Sequence, residues 1–187
     1  MSARLSDEVR ARLLALARDA IARRLEGHPP PDLEDGEPPR AVFVTLRERA
    51  GGALRGCIGQ TLPRHPLSEA IVKAAASAAT ADPRFEPVRA TELSGLSIEI
   101  SVLSPFEPAE PAEVEVGKHG VFLEWRGRRG LFLPQVALEQ AWDAETLLNR
   151  LCLKAGAPPG IQAASDAHLQ VFTAEVFGDE AHEGPVL

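Results

Sequence analysis

Residues 41–59 constrain the fold more than any other part of this chain, because they predict a β-hairpin. Residues 41–46 form an apolar run rich in β-branched side chains, which is typical of a strand. Residues 47–52 supply polar residues and two glycines, and a second strand-like run follows over residues 53–58. The chain is therefore expected to contain at least one antiparallel pair of strands.

The second strand of this hairpin contains the sequence Leu54-Arg55-Gly56-Cys57-Ile58-Gly59. Because side chains alternate along a strand, Arg55 and Cys57 project from one face while Leu54 and Ile58 face inward. A cation two residues from a thiol on the same face favours the thiolate. The neighbouring glycines have no side chains, so a ligand or another backbone can come close to this strand.

Helices and further strands surround the hairpin. Apolar spacing and capping residues predict helices over residues 6–25, about 66–80 and 143–155. Alternating or apolar runs predict strands over residues 96–103, 121–125, 131–133 and 169–177. Strands mixed with irregularly placed helices predict an α+β fold, with antiparallel sheets flanked by helices, rather than a regular array of βαβ units.

Composition and charge argue against several classes of function. The chain has 187 residues and a formal net charge of −7 at pH 7, which disfavours a broad interface with nucleic acid. No apolar run reaches the roughly 18 residues of a membrane helix, and the N-terminus has no signal-peptide core. The two cysteines, Cys57 and Cys152, do not make a disulfide framework. We therefore expect a cytoplasmic protein without a nucleic-acid or membrane partner.

The strand over residues 96–103 supplies further polar candidates. Its apolar residues point to one side, so Glu99 and Ser101 point to the other. Placed beside the hairpin, this strand would present Glu99 and Ser101 on the same face as Arg55 and Cys57. Glu99 is then either a general base or an ion-pair partner of Arg55, and the sequence leaves both interpretations open.

An ordered set of motifs extends over roughly residues 8–178, nearly the whole chain. The set consists of residues 54–59, Asp82-Pro83-Arg84-Phe85, residues 98–105, Gly117-Lys118-His119-Gly120, residues 130–137, Trp142-Asp143 and residues 174–178. In this order the motifs resemble those of the AMMECR domain family, also called AmmeMemoRadiSam system protein A. One hexapeptide alone is weak evidence, whereas the ordered set is highly specific.

This resemblance implies both a fold and a set of partners. The implied fold is a single α+β domain over residues 1–187, with a larger lobe that contains both termini, a smaller inserted lobe and a cleft between the lobes. Members occur alone, or alongside or fused to a Memo-type protein and a radical SAM enzyme. No reaction is firmly assigned to the family, so the resemblance does not imply an activity.

Three polar residues from separate segments are candidates for catalysis. Cys57 is the candidate nucleophile, and Glu99 and His119, which lies in a glycine-flanked turn, are candidate proton carriers. The structural alternatives remain open, because free cysteines are commonly buried and inert and loop histidines are commonly solvated. The catalytic interpretation requires these side chains to converge on one hollow that solvent reaches.

Arg55, Ser101 and Gln135 are the candidate substrate-binding residues. The planar guanidinium of Arg55 suits a carboxylate or a phosphate, and an ion pair with Glu99 is the alternative. Gln135 follows a proline at a strand end, from where its amide can donate to a ligand. No cofactor is predicted. The three catalytic candidates lack the close spacing of a zinc site, so no metal is predicted either.

These observations leave two functions open. The first is a cytosolic cysteine-dependent enzyme that acts on a small molecule or a peptide end, by hydrolysis or acyl transfer through a thioester at Cys57. The second is a non-catalytic binding or accessory module for Memo-type and radical SAM proteins. A nucleic-acid role is disfavoured by the acidic net charge.

Overall fold

The predicted hairpin forms two strands of a four-stranded sheet in a computed structural model that describes residues 4–33 and 37–179. β1 spans Val42–Glu48 and β2 spans Leu54–Gln60, and the two strands pair antiparallel. β3, Leu96–Leu103, pairs antiparallel with the other side of β1. β8, Ala174–Gly178, completes the order β2-β1-β3-β8.

Two of the predicted helices bury one face of this sheet. α1 spans Asp7–Glu26; the Ser6 hydroxyl accepts the backbone N–H of Val9 at its start, and Gly27 ends it with a φ of 76°. α2 spans Leu67–Thr80 and follows Pro66. Fully buried members of this core include Leu13, Ile21, Val44, Ile71, Ile98 and Ile100.

A second sheet lies in the segment that follows β3. Its strands are β4 (Glu107–Pro108), β5 (Gly120–Trp125), β6 (Arg128–Phe132) and β7 (Ala167–Phe172), in the order β4-β7-β5-β6. All of their recorded pairings are antiparallel. The helices α3 (Pro134–Glu139) and α4 (Ala144–Lys154) pack on this sheet around Leu123, Leu147, Leu151 and Leu169.

The chain divides into two structural units, one around each sheet. Among the described residues, the first unit contains those up to Leu103 and those from Glu175 onward, and the second is Ser104–Ala174. Two antiparallel sheets with flanking helices confirm the predicted α+β fold class. A single domain with two unequal lobes and a cleft between them stays a prediction.

One strand prediction at the end of the second unit was wrong, and one helix of this unit was not predicted. One continuous strand over residues 169–177 was expected, but β7 ends at Phe172 and β8 begins at Ala174 in the other sheet. Ser104 holds the backbone of Thr173 between them, because it accepts the Thr173 N–H at 3.0 Å and donates to the Thr173 carbonyl at 2.9 Å. The helix α3 was not expected, although Pro134 at its first turn is a favoured position for proline.

Candidate functional site

Cys57 lies on the face of the first sheet that points away from the core of α1 and α2. The strand registers pair Thr45 of β1 with Cys57 on one side and with Glu99 of β3 on the other. Residues that are directly opposite on neighbouring strands project from the same face. Cys57, Thr45 and Glu99 therefore form a row across three strands, and the expected common face of Cys57 and Glu99 is present.

The next row along the same face contains Ser101. Phe43 of β1 pairs with Gly59 on one side and with Ser101 on the other. Ser101 is fully buried. A Cβ at residue 59 would lie 2.4 Å from the Phe43 ring, so the aromatic side chain occupies the space beside this glycine. The Phe43 side chain therefore fills the space beside Gly59, and Ser101 is closed to solvent.

The Cys57 thiol is half-buried and hydrogen-bonded. Its Sγ accepts a hydrogen bond from the Thr45 hydroxyl, with a distance of 3.3 Å between Oγ1 and Sγ. Burial raises the pKa of the thiol, and this effect outweighs the Thr45 hydrogen bond and the positive charge of Arg84, which both lower it. The carboxylates of Asp82 and Glu99 raise this pKa further. The resting state at neutral pH is therefore the protonated thiol.

Asp82 and Arg84, which follow α2, hold the backbone of Cys57. Asp82 Oδ2 accepts the Cys57 N–H at 2.8 Å, and Arg84 Nη2 donates to the Cys57 carbonyl at 3.3 Å. The two side chains also bind each other, because Arg84 Nε and Nη2 donate to the Asp82 carboxylate at 2.9 and 2.7 Å. The Arg84 hydrogen bonds are the main reason that the pKa of Asp82 lies far below its usual value.

Arg55 has a different environment from the one expected. Its Nε donates to Glu92 Oε1 at 3.2 Å and its Nη1 donates to the Glu86 carbonyl at 2.8 Å. The expectation that Arg55 favours the thiolate was wrong, because Arg84 is the guanidinium that acts on Cys57 and the thiol pKa is raised. The alternative of an ion pair with Glu99 was also wrong, since the partner is Glu92.

His119 and Gln135 belong to the second unit, whereas the other four candidates belong to the first. His119 precedes β5, and its Nδ1 accepts the backbone N–H of Glu115 at 3.2 Å. This bond assigns the ring proton of a neutral imidazole to Nε2. Gln135 lies in the first turn of α3. The convergence of the six candidates on one hollow, and the roles assigned to them, stay predictions.

The second unit has a groove of its own that the sequence analysis did not identify. It has a volume of about 730 Å³ and lies beside β7, with Glu110, Glu113, Glu124 and His168 among its lining residues. None of the residues that line this groove belongs to the motif set on which the resemblance depends. The groove therefore shares no lining residue with the predicted site.

Within residues 4–33 and 37–179, no three side chains of histidine, cysteine, aspartate or glutamate are grouped so that they could hold a metal ion. Within the same described part of the chain, every helix is too short or too polar to cross a membrane.

Three residues that contact Cys57 were missed as site residues. Thr45 appeared in the sequence only as part of a strand, and its position beside Cys57 depends on which strand pairs with which. Asp82 and Arg84 were noted only within the Asp82-Pro83-Arg84-Phe85 motif. That motif, placed directly after the helix that follows β2, was the one available signal for them.

Comparisons with known proteins agree with this architecture. The AMMECR1 family model matches residues 14–177. Protein MK0488 of Methanopyrus kandleri is 45% identical, with 93% of this chain and 90% of that protein covered. Protein PF1979 of Pyrococcus furiosus is 42% identical, with 98% and 94% covered. The crystal structure of the uncharacterized protein PH0010 from Pyrococcus horikoshii has a TM-score of 0.86 and 39% identity, with 97% of this chain and 96% of that chain covered.

Proposed function

Because this chain belongs to the AMMECR1 family, we propose that it is a non-catalytic binding module of a cytoplasmic AmmeMemoRadiSam system. In this role it binds Memo-type and radical SAM proteins and presents to them a small molecule or a peptide end held at the polar face around Cys57. The partner classes come from the sequence resemblance. The choice of a binding module over an enzyme comes from the chemistry of the thiol.

The environment of Cys57 is the observation that carries this choice. The thiolate is the nucleophilic form of cysteine, and catalytic cysteines have a pKa that is lowered by positive groups. Here burial raises the pKa of Cys57, and two carboxylates, Asp82 and Glu99, add to the increase. Arg84 lowers the pKa of the thiol, and its guanidinium is already paired with Asp82. A protonated thiol with a hydroxyl donor suits a binding surface better than a nucleophile.

A cysteine-dependent enzyme is the second candidate, and the row of Cys57, Thr45 and Glu99 favours it. In this second candidate the Cys57 sulfur attacks a carbonyl group of the substrate, and a thioester forms as the bond from the carbonyl carbon to the leaving group breaks. Glu99 takes the thiol proton and passes it to that leaving group. Arg55 would bind the substrate in this mechanism. This mechanism needs a base that removes the proton from a thiol whose pKa is raised. The binding function needs no such proton transfer.

Reconstitution with purified Memo-type and radical SAM proteins from the same organism tests the proposal. We expect Cys57→Ser to bind both partners as the wild type does and to support any product that forms only with the partners. The matched control is Cys152→Ser, because Cys152 is the other free cysteine and a serine there keeps the donor to Gln162 Oε1. Loss of product in Cys57→Ser alone would favour the enzyme, and no binding of the wild type to either partner would overturn the proposal.

A further inference from the structure

β2 is an outer strand of the first sheet, and within residues 4–33 and 37–179 no strand pairs with its other edge. An uncovered edge exposes backbone N–H and C=O groups that can pair with another chain. At Cys57 both groups are bound on this edge, the N–H by the Asp82 carboxylate and the C=O by the Arg84 guanidinium. The acceptor and the donor that a neighbouring strand would supply are thus supplied here by two side chains.

The Asp82–Arg84 pair has the properties of a fixed structural element. The Asp82 side chain is only 2% exposed, although it is charged. Its carboxylate receives hydrogen bonds from three backbone or guanidinium groups of Arg84 and from the N–H of Cys57. A buried carboxylate with this many donors is held in one orientation. Arg84 remains 54% exposed, so solvent reaches the outer side of the pair.

We propose that the Asp82–Arg84 pair is a side-chain substitute for a neighbouring strand, which covers the edge of β2 and positions Cys57 in the site. Asp82 and Arg84 are positioning residues in this proposal, since they contact the backbone of Cys57 rather than a ligand. The inference deepens the proposed function and rests on it for the importance of Cys57. The geometry of the pair is independent of whether the face binds a ligand or performs chemistry.

The two members of the pair act on the thiol with opposite signs. Asp82 raises the pKa of Cys57 and Arg84 lowers it, while Glu99 on β3 raises it and the Thr45 hydroxyl on β1 lowers it. Removing the charge of Asp82 should therefore lower this pKa, and removing the charge of Arg84 should raise it. Opposite shifts require both charged groups to stay beside the thiol, as their contacts with the Cys57 backbone predict.

The test is the rate of iodoacetamide alkylation of Cys57 in the full chain, measured from about pH 6 to about pH 10 and assigned by peptide mass spectrometry. We expect the midpoint of the pH profile to fall in Asp82→Asn and to rise in Arg84→Gln. Arg84→Lys, which keeps the charge but cannot make the paired contacts, should lie between the wild type and Arg84→Gln. Asp19→Asn is the matched control, because Asp19 pairs with Arg23 on α1 and should leave the profile unchanged.

Shifts of Asp82→Asn and Arg84→Gln in the same direction, or no shift in either, would overturn the inference. Should Asp82→Asn fail to fold, the two Arg84 variants decide the question through the order of their midpoints, because Arg84 is half exposed. The measurement needs neither ligand nor partner. If the wild type binds neither partner but the two variants shift the Cys57 pKa in opposite directions, the proposed function is rejected and the role of the Asp82–Arg84 pair is kept. If the partners bind but the shifts are not opposite, the role of the pair is rejected and the proposed function is kept.

Discussion

The carbonyl oxygen of Ala78 lies where a side chain at Gly56 would have to begin. A Cβ built on residue 56 would be 2.2 Å from this oxygen and 3.1 Å from its carbonyl carbon. The glycine therefore allows the backbone of α2 to lie directly against β2. The sequence predicted that the glycines beside Cys57 let either a ligand or another backbone come close. At Gly56 it is the backbone of α2 that comes close.

Gly56→Ala should destabilise the first unit strongly, because backbone on α2 cannot yield as a flexible side chain would. Overpacking of this kind costs about 3 kcal/mol. The measurement is the midpoint of urea denaturation, followed by circular dichroism. Gly51→Ala is the matched control, since nothing lies within 4 Å of a Cβ at residue 51. Equal midpoints for the two variants would contradict the close packing of α2 on β2.

Thr45→Val should slow the alkylation of Cys57. The Thr45 hydroxyl donates to the sulfur and lowers the pKa of the thiol, so its removal leaves burial and the nearby carboxylates to raise that pKa further. Valine has the shape of threonine without the donor, and Thr45→Ser keeps the donor. We expect a slower reaction at pH 8 in Thr45→Val and a rate near the wild type in Thr45→Ser. A faster reaction in Thr45→Val would show that the hydroxyl does not stabilise the thiolate.

Asp82 should make the stability of the protein depend on acid pH. Its pKa in the folded chain is strongly lowered by Arg84 and by the Cys57 N–H, whereas an unfolded aspartate titrates near 3.9. The stabilisation is therefore complete above about pH 4 and is lost as the pH falls toward the folded value. Charge-assisted hydrogen bonds of this type contribute about 2 kcal/mol at neutral pH.

Asp82→Asn should consequently lower the urea midpoint at pH 7 and reduce the difference between the midpoints at pH 7 and pH 3. Asp166→Asn is the control, because Asp166 also pairs with an arginine, Arg126, but is about half exposed. We expect a nearly unchanged acid dependence in that control. An Asp82→Asn variant with the full acid dependence of the wild type would assign that dependence to other carboxylates.

The alternation of side chains predicted that Cys57 and Glu99 would share a face if their strands lay close together, because a period of two depends only on local backbone geometry. It could not predict Thr45 between them, since this requires knowing that β1 is the middle strand. The contact between Asp82 and the Cys57 N–H could not be predicted either, because it also depends on the tertiary fold. A carboxylate 25 residues away in sequence finds the Cys57 N–H only after α2 has packed on the sheet.

Strand ends were the weakest part of the fold prediction. Apolar residues continue across Thr173, so the pattern gives no sign that the chain changes sheets there. The signal is a tertiary contact with Ser104, which lies 69 residues earlier. Helix boundaries were predicted well, because Ser6, Gly27 and Asp143 act through local hydrogen bonds and backbone conformation.

Arg55→Lys should destabilise the protein without changing the chemistry of Cys57. The Arg55 side chain is 14% exposed and makes two contacts through different nitrogens, with Glu92 and with the Glu86 carbonyl. Lysine cannot reproduce this fork, and we expect a loss of about 1 kcal/mol, since Glu92 is partly exposed and solvent weakens the ion pair. Glu92→Gln, which keeps the Glu86 contact, should cost less.

The alkylation profile of Cys57 should match the wild type in both variants, because neither residue is among the charged groups that act on the thiol. An unchanged urea midpoint in Arg55→Lys, together with weaker binding of a carboxylate or phosphate ligand, would instead assign Arg55 to ligand recognition.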